Sequence, residues 1–413
     1  MRAIYLICSF VFFVGCKPIL NDNQKELCFS EKKENPHAFA NTIFKESEYN
    51  YLKPLNCLLL NEDYYREIDA IDFYYQTLLT FSSFANDSLV YFDTYSKRFK
   101  SERKNNQYKF DTLKIIDGKI FIINKAKNER VIMFNEQHYR TNQRFFLKSL
   151  LQDFKELGYN YLALEAADNT NFRENYILNH EEGFYLNEPN FANLVAEALK
   201  LGFKIKSYES NISCVESKNC YNFRDSIQAL NLNKILKDDK EAKIIVLAGG
   251  SHIYEKSSRN KNMAQYFREL TGINPFTVDQ ISLVDNCTNN NSFYYQANSN
   301  FDIKSPSVIL TEDDSIYEYD NRVDLSLIYP LNNQQNWMFE DKSVVEIKLK
   351  KQYNRLVFQV FNRKNSQKIP VFNKVLYSTD STLKLYLEQG EYFYVVKDEN
   401  DKIFIKKNFK IHH

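Results

Sequence analysis

Between residues 131 and 282 the chain alternates short apolar runs with longer stretches of helical period. "VIMFN" (131–135), "YLALEA" (161–166), "FKIKSYE" (203–209), "KIIVLAGG" (243–250) and "NPFTVDQ" (274–280) read as strands. Between the first two, Phe146, Leu150, Phe154 and Leu157 fall on one helical face, and Gly158 is the stop. "FANLVAEALKL", residues 222–237, and the stretch carrying Met263, Phe267 and Leu270 supply further helices. Strand–helix alternation predicts an α/β domain, a mainly parallel sheet with helices on both faces.

The flanks follow other rhythms. Residues 17 to about 60 read as loosely structured. From Asn61, a suitable cap, Tyr64, Ile68, Ile71, Tyr75 and Leu78 predict one helix; a second follows Asn86-Asp87-Ser88, with Tyr91, Tyr95 and Phe99 on one face. These aromatic stripes read as helix packing. "LKIIDGKIFIIN" (113–124) reads as a β-hairpin turning at Asp117-Gly118. The Asn-rich stretch 286–340 reads as a linker or a decorated loop. Beyond it the period becomes two: Val345, Ile347, Leu349; Leu356, Phe358, Val360; Leu383, Leu385, Leu387. That pattern predicts a small antiparallel, β-sandwich-like domain. The expected organisation is a signal peptide (1–16), a helical segment (17–110), the α/β domain (111–285), a linker (286–340) and a β-domain (341–413).

The N-terminus changes the picture. "MRAIYLICSFVFFVGC" has Arg2, an apolar run from Ala3 to Val14, and Gly15-Cys16. The run is shorter than the roughly 20 residues a spanning helix needs and has the length of a secretory signal. It resembles a bacterial lipoprotein signal, which implies lipidation at Cys16 and anchoring in the cell envelope, at the outer membrane. Phe13 stands where that pattern usually has Leu. Export sets the other cysteines in an oxidising compartment; Cys28 with Cys57, and Cys214 with Cys220, are plausible pairs, and a buried thiol is the alternative for each. No CxxC is present. With 54 Lys plus Arg against 53 Asp plus Glu, the basic excess expected of a nucleic-acid binder is missing.

The strand ends carry the candidate chemistry. The first strand ends in Asn135-Glu136-Gln137-His138, the second in Glu165, the third in Tyr208-Glu209, and the most apolar in Gly249-Gly250-Ser251-His252. In a parallel sheet these ends share one edge, where active sites of such folds sit. Two imidazoles with carboxylates can bind a divalent metal, for which Glu136, His138 and His252 are the candidate ligands. Without a metal, a carboxylate can orient a histidine as general base for water. Glu136, His138, Glu165 and His252 are the candidate catalytic residues. Asn135, Glu209, Arg224, Asp225, Gly249, Gly250 and Ser251 are the candidates for contacting substrate. The glycines allow close backbone approach; Ser251 lacks a G-x-S-x-G elbow. His37 and His180 read as surface residues, and "KSERKNN" (100–106) as a solvated helix end.

"NEQH", "LKSLLQDFKELGYNYLALEA", "NFRDSIQALNLNKIL" and "VLAGGSHIYEK" together resemble the superfamily of erythromycin esterases, ChaN-like haem-uptake lipoproteins and TraB/Tiki proteins, over residues 130–282. The resemblance matches Glu136 and His138, Glu165, Arg224 and Asp225, and Gly249 and His252. Asn135 departs from it, since the family has Gly there. It implies a hydrolase of esters, lactones or amides, acting on a small molecule or peptide, with or without a metal. The ChaN-like branch implies instead a haem- or ligand-binding lipoprotein without turnover.

Overall fold

The structure, a computed structural model, describes residue 28 and residues 34–412 apart from 100–105, 166, 168–171, 173–176, 211–219, 257–259, 286–291, 333–334, 340–341, 350–354 and 364–367. Cys16, Cys214, Cys287 and most of the charged run at 100–106 lie outside the described residues.

The N-terminal part is helical: α1 (Pro36–Glu46), α2 (Leu52–Leu59), α3 (Glu62–Glu67), α4 (Ile71–Ala85) and α5 (Ser88–Arg98). Two of these lie within the stretch expected to be loose. Asn35 caps α1 by accepting from the Ala38 N–H, and a disulfide joins Cys28 to Cys57 on α2. The single helix expected from Asn61 is two, because Asp69 takes a left-handed φ of 56° between α3 and α4. Asn61 does not cap with its side chain; its amide donates to the Cys57 carbonyl at 2.7 Å.

The expected hairpin is a strand and a helix, β1 (Leu113–Asp117) and α6 (Gly118–Ala126). Asp117 accepts from the Ile120 N–H and so starts a helix rather than a turn. Gly118 is pressed against the Pro306 carbonyl, where a Cβ would stand 2.5 Å from the oxygen. Burial of Ile122 and Ala126 then overrides the β-propensity of "KIFIIN". The alternating series follows as expected: β2 (Val131–Glu136), α7 (Thr141–Glu156), β3 (Tyr161–Leu164), α8 (Pro189–Lys200), β4 (Lys204–Ser207), α9 (Cys220–Asp238), β5 (Ile244–Gly249), α10 (Met263–Thr271) and β6 (Phe276–Leu283). The expected linker is not one. It supplies α11 (Phe293–Phe301), β7 (Ser307–Thr311) and β8 (Leu325–Ile328), and both strands join the central sheet.

That sheet has eight strands in the order β1-β7-β8-β6-β2-β5-β3-β4, in which β7 alone runs against the rest. Alternation along each strand divides the core. Ile132, Phe134, Leu162, Leu164, Ile245 and Leu247 face α6, α7 and α8. Val131, Met133, Ala163, Ile244 and Val246 face α9 and α10. Strands β2, β5, β3 and β4 are immediate neighbours, so their carboxyl ends form one continuous stretch of edge.

The last part holds β9 (Ser343–Lys348), β10 (Leu356–Asn362), β11 (Phe372–Leu376), β12 (Thr382–Leu387), β13 (Gly390–Lys397) and β14 (Ile403–Ile411). They form a four-stranded sheet, β11-β10-β13-β14, and a two-stranded sheet, β12-β9, around one apolar interior. This is the expected antiparallel sandwich. It is not a separate bead: Val357 and Val375 lie in the same core as Phe44, Leu55 and Phe84 of the N-terminal helices. A buried Arg355–Asp87 ion pair at 3.1 Å ties the two ends of the chain together.

Candidate active site at the carboxyl edge of the sheet

Glu136 is the last residue of β2 and, by alternation, points to the α7–α8 side of the sheet. It is 2% exposed and meets Arg144, fully buried on α7: Nε to Oε2 at 2.7 Å and Nη2 to Oε1 at 2.6 Å. Arg144 also reaches Glu188 (3.1 Å), the residue that caps α8, and the His138 carbonyl (3.1 Å). Burial pushes the Glu136 carboxyl up, but the Arg144 guanidinium and His138 outweigh it, and the pKa falls to about 2. A fixed carboxylate therefore lies 2.8 Å from His138 Nδ1. That contact makes Nδ1 the protonated nitrogen and leaves Nε2 as the acceptor. The ring is clamped from the other side by Tyr185, stacked at 3.9 Å.

Asn135 points to the opposite face. It donates to the Gly250 carbonyl (3.1 Å) and Asp279 (2.7 Å) and accepts from the Gln280 N–H (2.7 Å). It is fully buried and stitches β2 to β6 and to the turn after β5.

Across the edge, Glu165 takes the Gly249 N–H at 2.5 Å and Arg224 Nη2 at 2.5 Å, with His252 Nε2 at 3.5 Å. Its burial penalty is outweighed by His252, His138 and Arg224, and its pKa also falls to about 2. His252 gives Nδ1 to Asp225 at 2.6 Å. Burial lowers its pKa, but Glu165 and Asp225 reverse the sign and raise it. Arg224 Nη1, 3.2 Å from Nε2, can donate only to the neutral ring; protonation hands the Nε2 hydrogen to Glu165. Glu209 grips Arg224 with both oxygens and also accepts from Gln228. Gly249 is the pivot. His138 Nε2 and Glu165 Oε2 both lie within 3.2 Å of the point a Cβ there would occupy. The two histidines thus converge on one edge, each held through Nδ1 by a carboxylate.

Ser251 is exposed, and Gly250 has a left-handed φ of 46° with open space beside it. The proposed metal set does not fit. Among the described residues no three His, Cys, Asp or Glu side chains are arranged to hold an ion. Both Glu136 oxygens accept from Arg144, and Oε1 also from His138 Nδ1, so this carboxylate faces the guanidinium rather than a site shared by the two Nε2 atoms.

The sequence reading missed Arg144, Glu188, Tyr185 and His37. Arg144 had a signal, since it stands at i−3 and i−7 to the buried Leu147 and Leu151, and a charge on an apolar stripe needs a buried partner. His37 is partly buried. It packs edge-on against Phe184 at 4.4 Å, and burial together with His138 lowers its pKa to about 4. His180 stacks on Tyr49 at 4.2 Å, and burial takes it to about 4 as well.

These shifts predict acid sensitivity in two stages. His37 and His180 stay neutral in the fold down to about 4, but titrate at 6.5 when unfolded, so their contribution is lost as pH falls from 6.5 to 4. Glu136 and Glu165 contribute fully above 4.5 and lose it as pH falls towards 2. His252 has the opposite sign, its contribution fading only above 6.5. Urea midpoints should therefore fall steadily below pH 6.5, and His180→Gln should flatten the first stage. A midpoint unchanged between pH 6.5 and 4 would contradict this.

No family model matches the sequence, and no curated protein matches it. Among solved structures, the type III effector HopBA1 aligns with a TM-score of 0.31 at 10% identity, over 53% of this chain and 97% of that one. A structure of bacterial protein toxins aligns at 0.30 and 12% identity, over 59% and 53%. The C-terminal region of Pasteurella multocida toxin aligns at 0.30 and 10% identity, over 83% and 55%. Likeness this loose bears on neither the chemistry nor the ancestry of the chain.

Proposed function

We propose that the chain is an exported hydrolase of the kind the erythromycin-esterase resemblance implies, cleaving an ester, lactone or amide with a water activated by histidine. The observation that carries this reading is the pair of carboxylate-held imidazoles meeting around Glu165 and Gly249. In this reading His138 Nε2, whose Nδ1–H is fixed by Glu136, takes a proton from water as the hydroxide adds to the carbonyl carbon. Arg224 and the cationic form of His252 stabilise the oxyanion. His252, its pKa raised, then returns a proton to the departing alkoxide or amine. Glu165 stays ionised and steadies both cations. The Cys28–Cys57 disulfide supports export, and anchoring through Cys16 at the envelope belongs to the same proposal. No helix among the described residues is long and apolar enough to cross a membrane.

The test is turnover of a panel of nitrophenyl esters, lactones and peptide anilides by the purified protein after dialysis against chelator. His252→Ala should lower kcat/KM by about 10²-fold. Activity lost on chelation would reassign the histidines as metal ligands. A Soret band on haem titration, with no turnover, would move the site to ligand binding.

A further inference from the structure

A cleft of about 490 Å³ shares no residue with the histidine site. It opens where the α1–α2 turn, the segment ahead of α8 and strands β10 and β13 of the sandwich meet. Small-molecule sites favour such junctions and have volumes of roughly 300–1,000 Å³.

The lining holds two acceptors with no donor. Gln359, on β10, is 1% exposed. Its amide is oriented by its neighbours: Asn373 donates to the Phe84 carbonyl (2.9 Å), so Asn373 Oδ1 accepts from Gln359 Nε2 (3.1 Å). Gln359 Oε1 is left without a partner. Of the buried unpartnered side-chain atoms among the described residues, it alone belongs to a residue lining one of the main clefts. Buried acceptors normally meet a donor, because an unmade bond keeps the full cost of desolvation. His180 supplies the second acceptor. The Asn187 amide nitrogen faces the His180, Gly183 and Phe184 carbonyls, each at 3.1 Å, so Asn187 Oδ1 accepts from His180 Nδ1 at 2.6 Å. The lone pair is thereby fixed on Nε2. Tyr49, stacked on the ring at 4.2 Å, holds its plane.

The charges of the lining cancel, Glu48 and Glu181 against Lys368 and Lys397. Beside the two acceptors neither sign of ligand is favoured. A carboxylate or phosphate would meet lone pairs rather than hydrogens. An ammonium would meet a place already hostile to cations, where burial, then Lys397 and Lys368, lower the His180 pKa. A neutral ligand with two O–H donors avoids both penalties. Its hydroxyls can also accept from the lysines, and the partly exposed Tyr49 and Phe361 offer ring surface to its carbons.

We propose that this cleft binds a neutral sugar, whose hydroxyls donate to Gln359 Oε1 and His180 Nε2. The proposal is independent of the hydrolase reading. Isothermal titration of the full-length protein with glucose, N-acetylglucosamine and maltose should show saturable binding of at least one. Gln359→Leu and His180→Phe keep the bulk of each side chain and delete its acceptor, and each should weaken binding about tenfold. On the wild-type protein, which avoids any folding defect of the variants, monodeoxy forms of the bound sugar should lose a similar factor at two hydroxyls. Hydrogen exchange should slow at residues 356–362 when the sugar binds. Absence of saturable binding by all three sugars overturns the proposal. So does binding that both variants leave unchanged. Glycine or inorganic phosphate binding in place of the sugars would also overturn it and make the cleft a site for ions.

Discussion

Arg144→Ala should destabilise the protein by about 3–5 kcal/mol, the loss expected when one partner of a buried ionic cluster is removed. The guanidinium is fully buried and holds both oxygens of Glu136, one of Glu188 and the His138 carbonyl. It also lies over the Phe191 ring at 4.4 Å. Without it two buried carboxylates face each other with no cation between them. Lys in its place should recover little, because one ammonium cannot span two carboxylates in the fork geometry. The measurement is urea unfolding at neutral pH. The triple variant Arg144→Met with Glu136→Gln and Glu188→Gln should regain most of the loss, since matched apolar and neutral groups need no counter-charge. It should nevertheless lack activity, because His138 then has no fixed anion behind it. A loss below about 1 kcal/mol for Arg144→Ala would mean that the carboxylates find other partners.

Gly249→Ala should cut hydrolysis by about 10³-fold while leaving the fold nearly intact. The new methyl would stand 2.9 Å from His138 Nε2 and 3.2 Å from Glu165 Oε2. It therefore displaces the general base and the carboxylate together and blocks the space between them. The backbone at 249 is ordinary strand, so alanine itself is not strained there. Gly250→Ala is the control: its φ of 46° makes alanine cost about 1 kcal/mol, but no atom lies within 4 Å of the added Cβ. It should lower stability and spare turnover. If both variants keep full activity, Gly249 does not lie between the reacting groups and the site is elsewhere.

The residues missed at the site and the elements misread have a common cause. "KIFIIN" has a strand former at most positions, but a capping aspartate and a tertiary contact with Pro306 make it helical. Residues 307–311 and 325–328 are short and separated by turn-rich sequence, and nothing local shows that a central sheet awaits them. His37 stands far from any strand end, and only packing of α1 against Phe184 brings it near His138. The same logic explains Asn135: adjacency to Glu136 in the chain says nothing about which side of the sheet its side chain serves.

By itself the sequence determined the α/β alternation, the antiparallel last domain and the presence of Glu136, His138, Glu165, Arg224, Asp225 and His252 at strand ends or on the helix behind them. Period and strand polarity are local properties, and a parallel sheet gathers its carboxyl ends on one edge whatever the strand order. Only the tertiary structure decided that β2 and β5 lie side by side, that Arg144 neutralises Glu136, and that both histidines give Nδ1 to carboxylates. Those outcomes depend on which helix packs where, and on burial that makes an unpaired charge too costly to leave, neither of which is written in any single stretch of the chain.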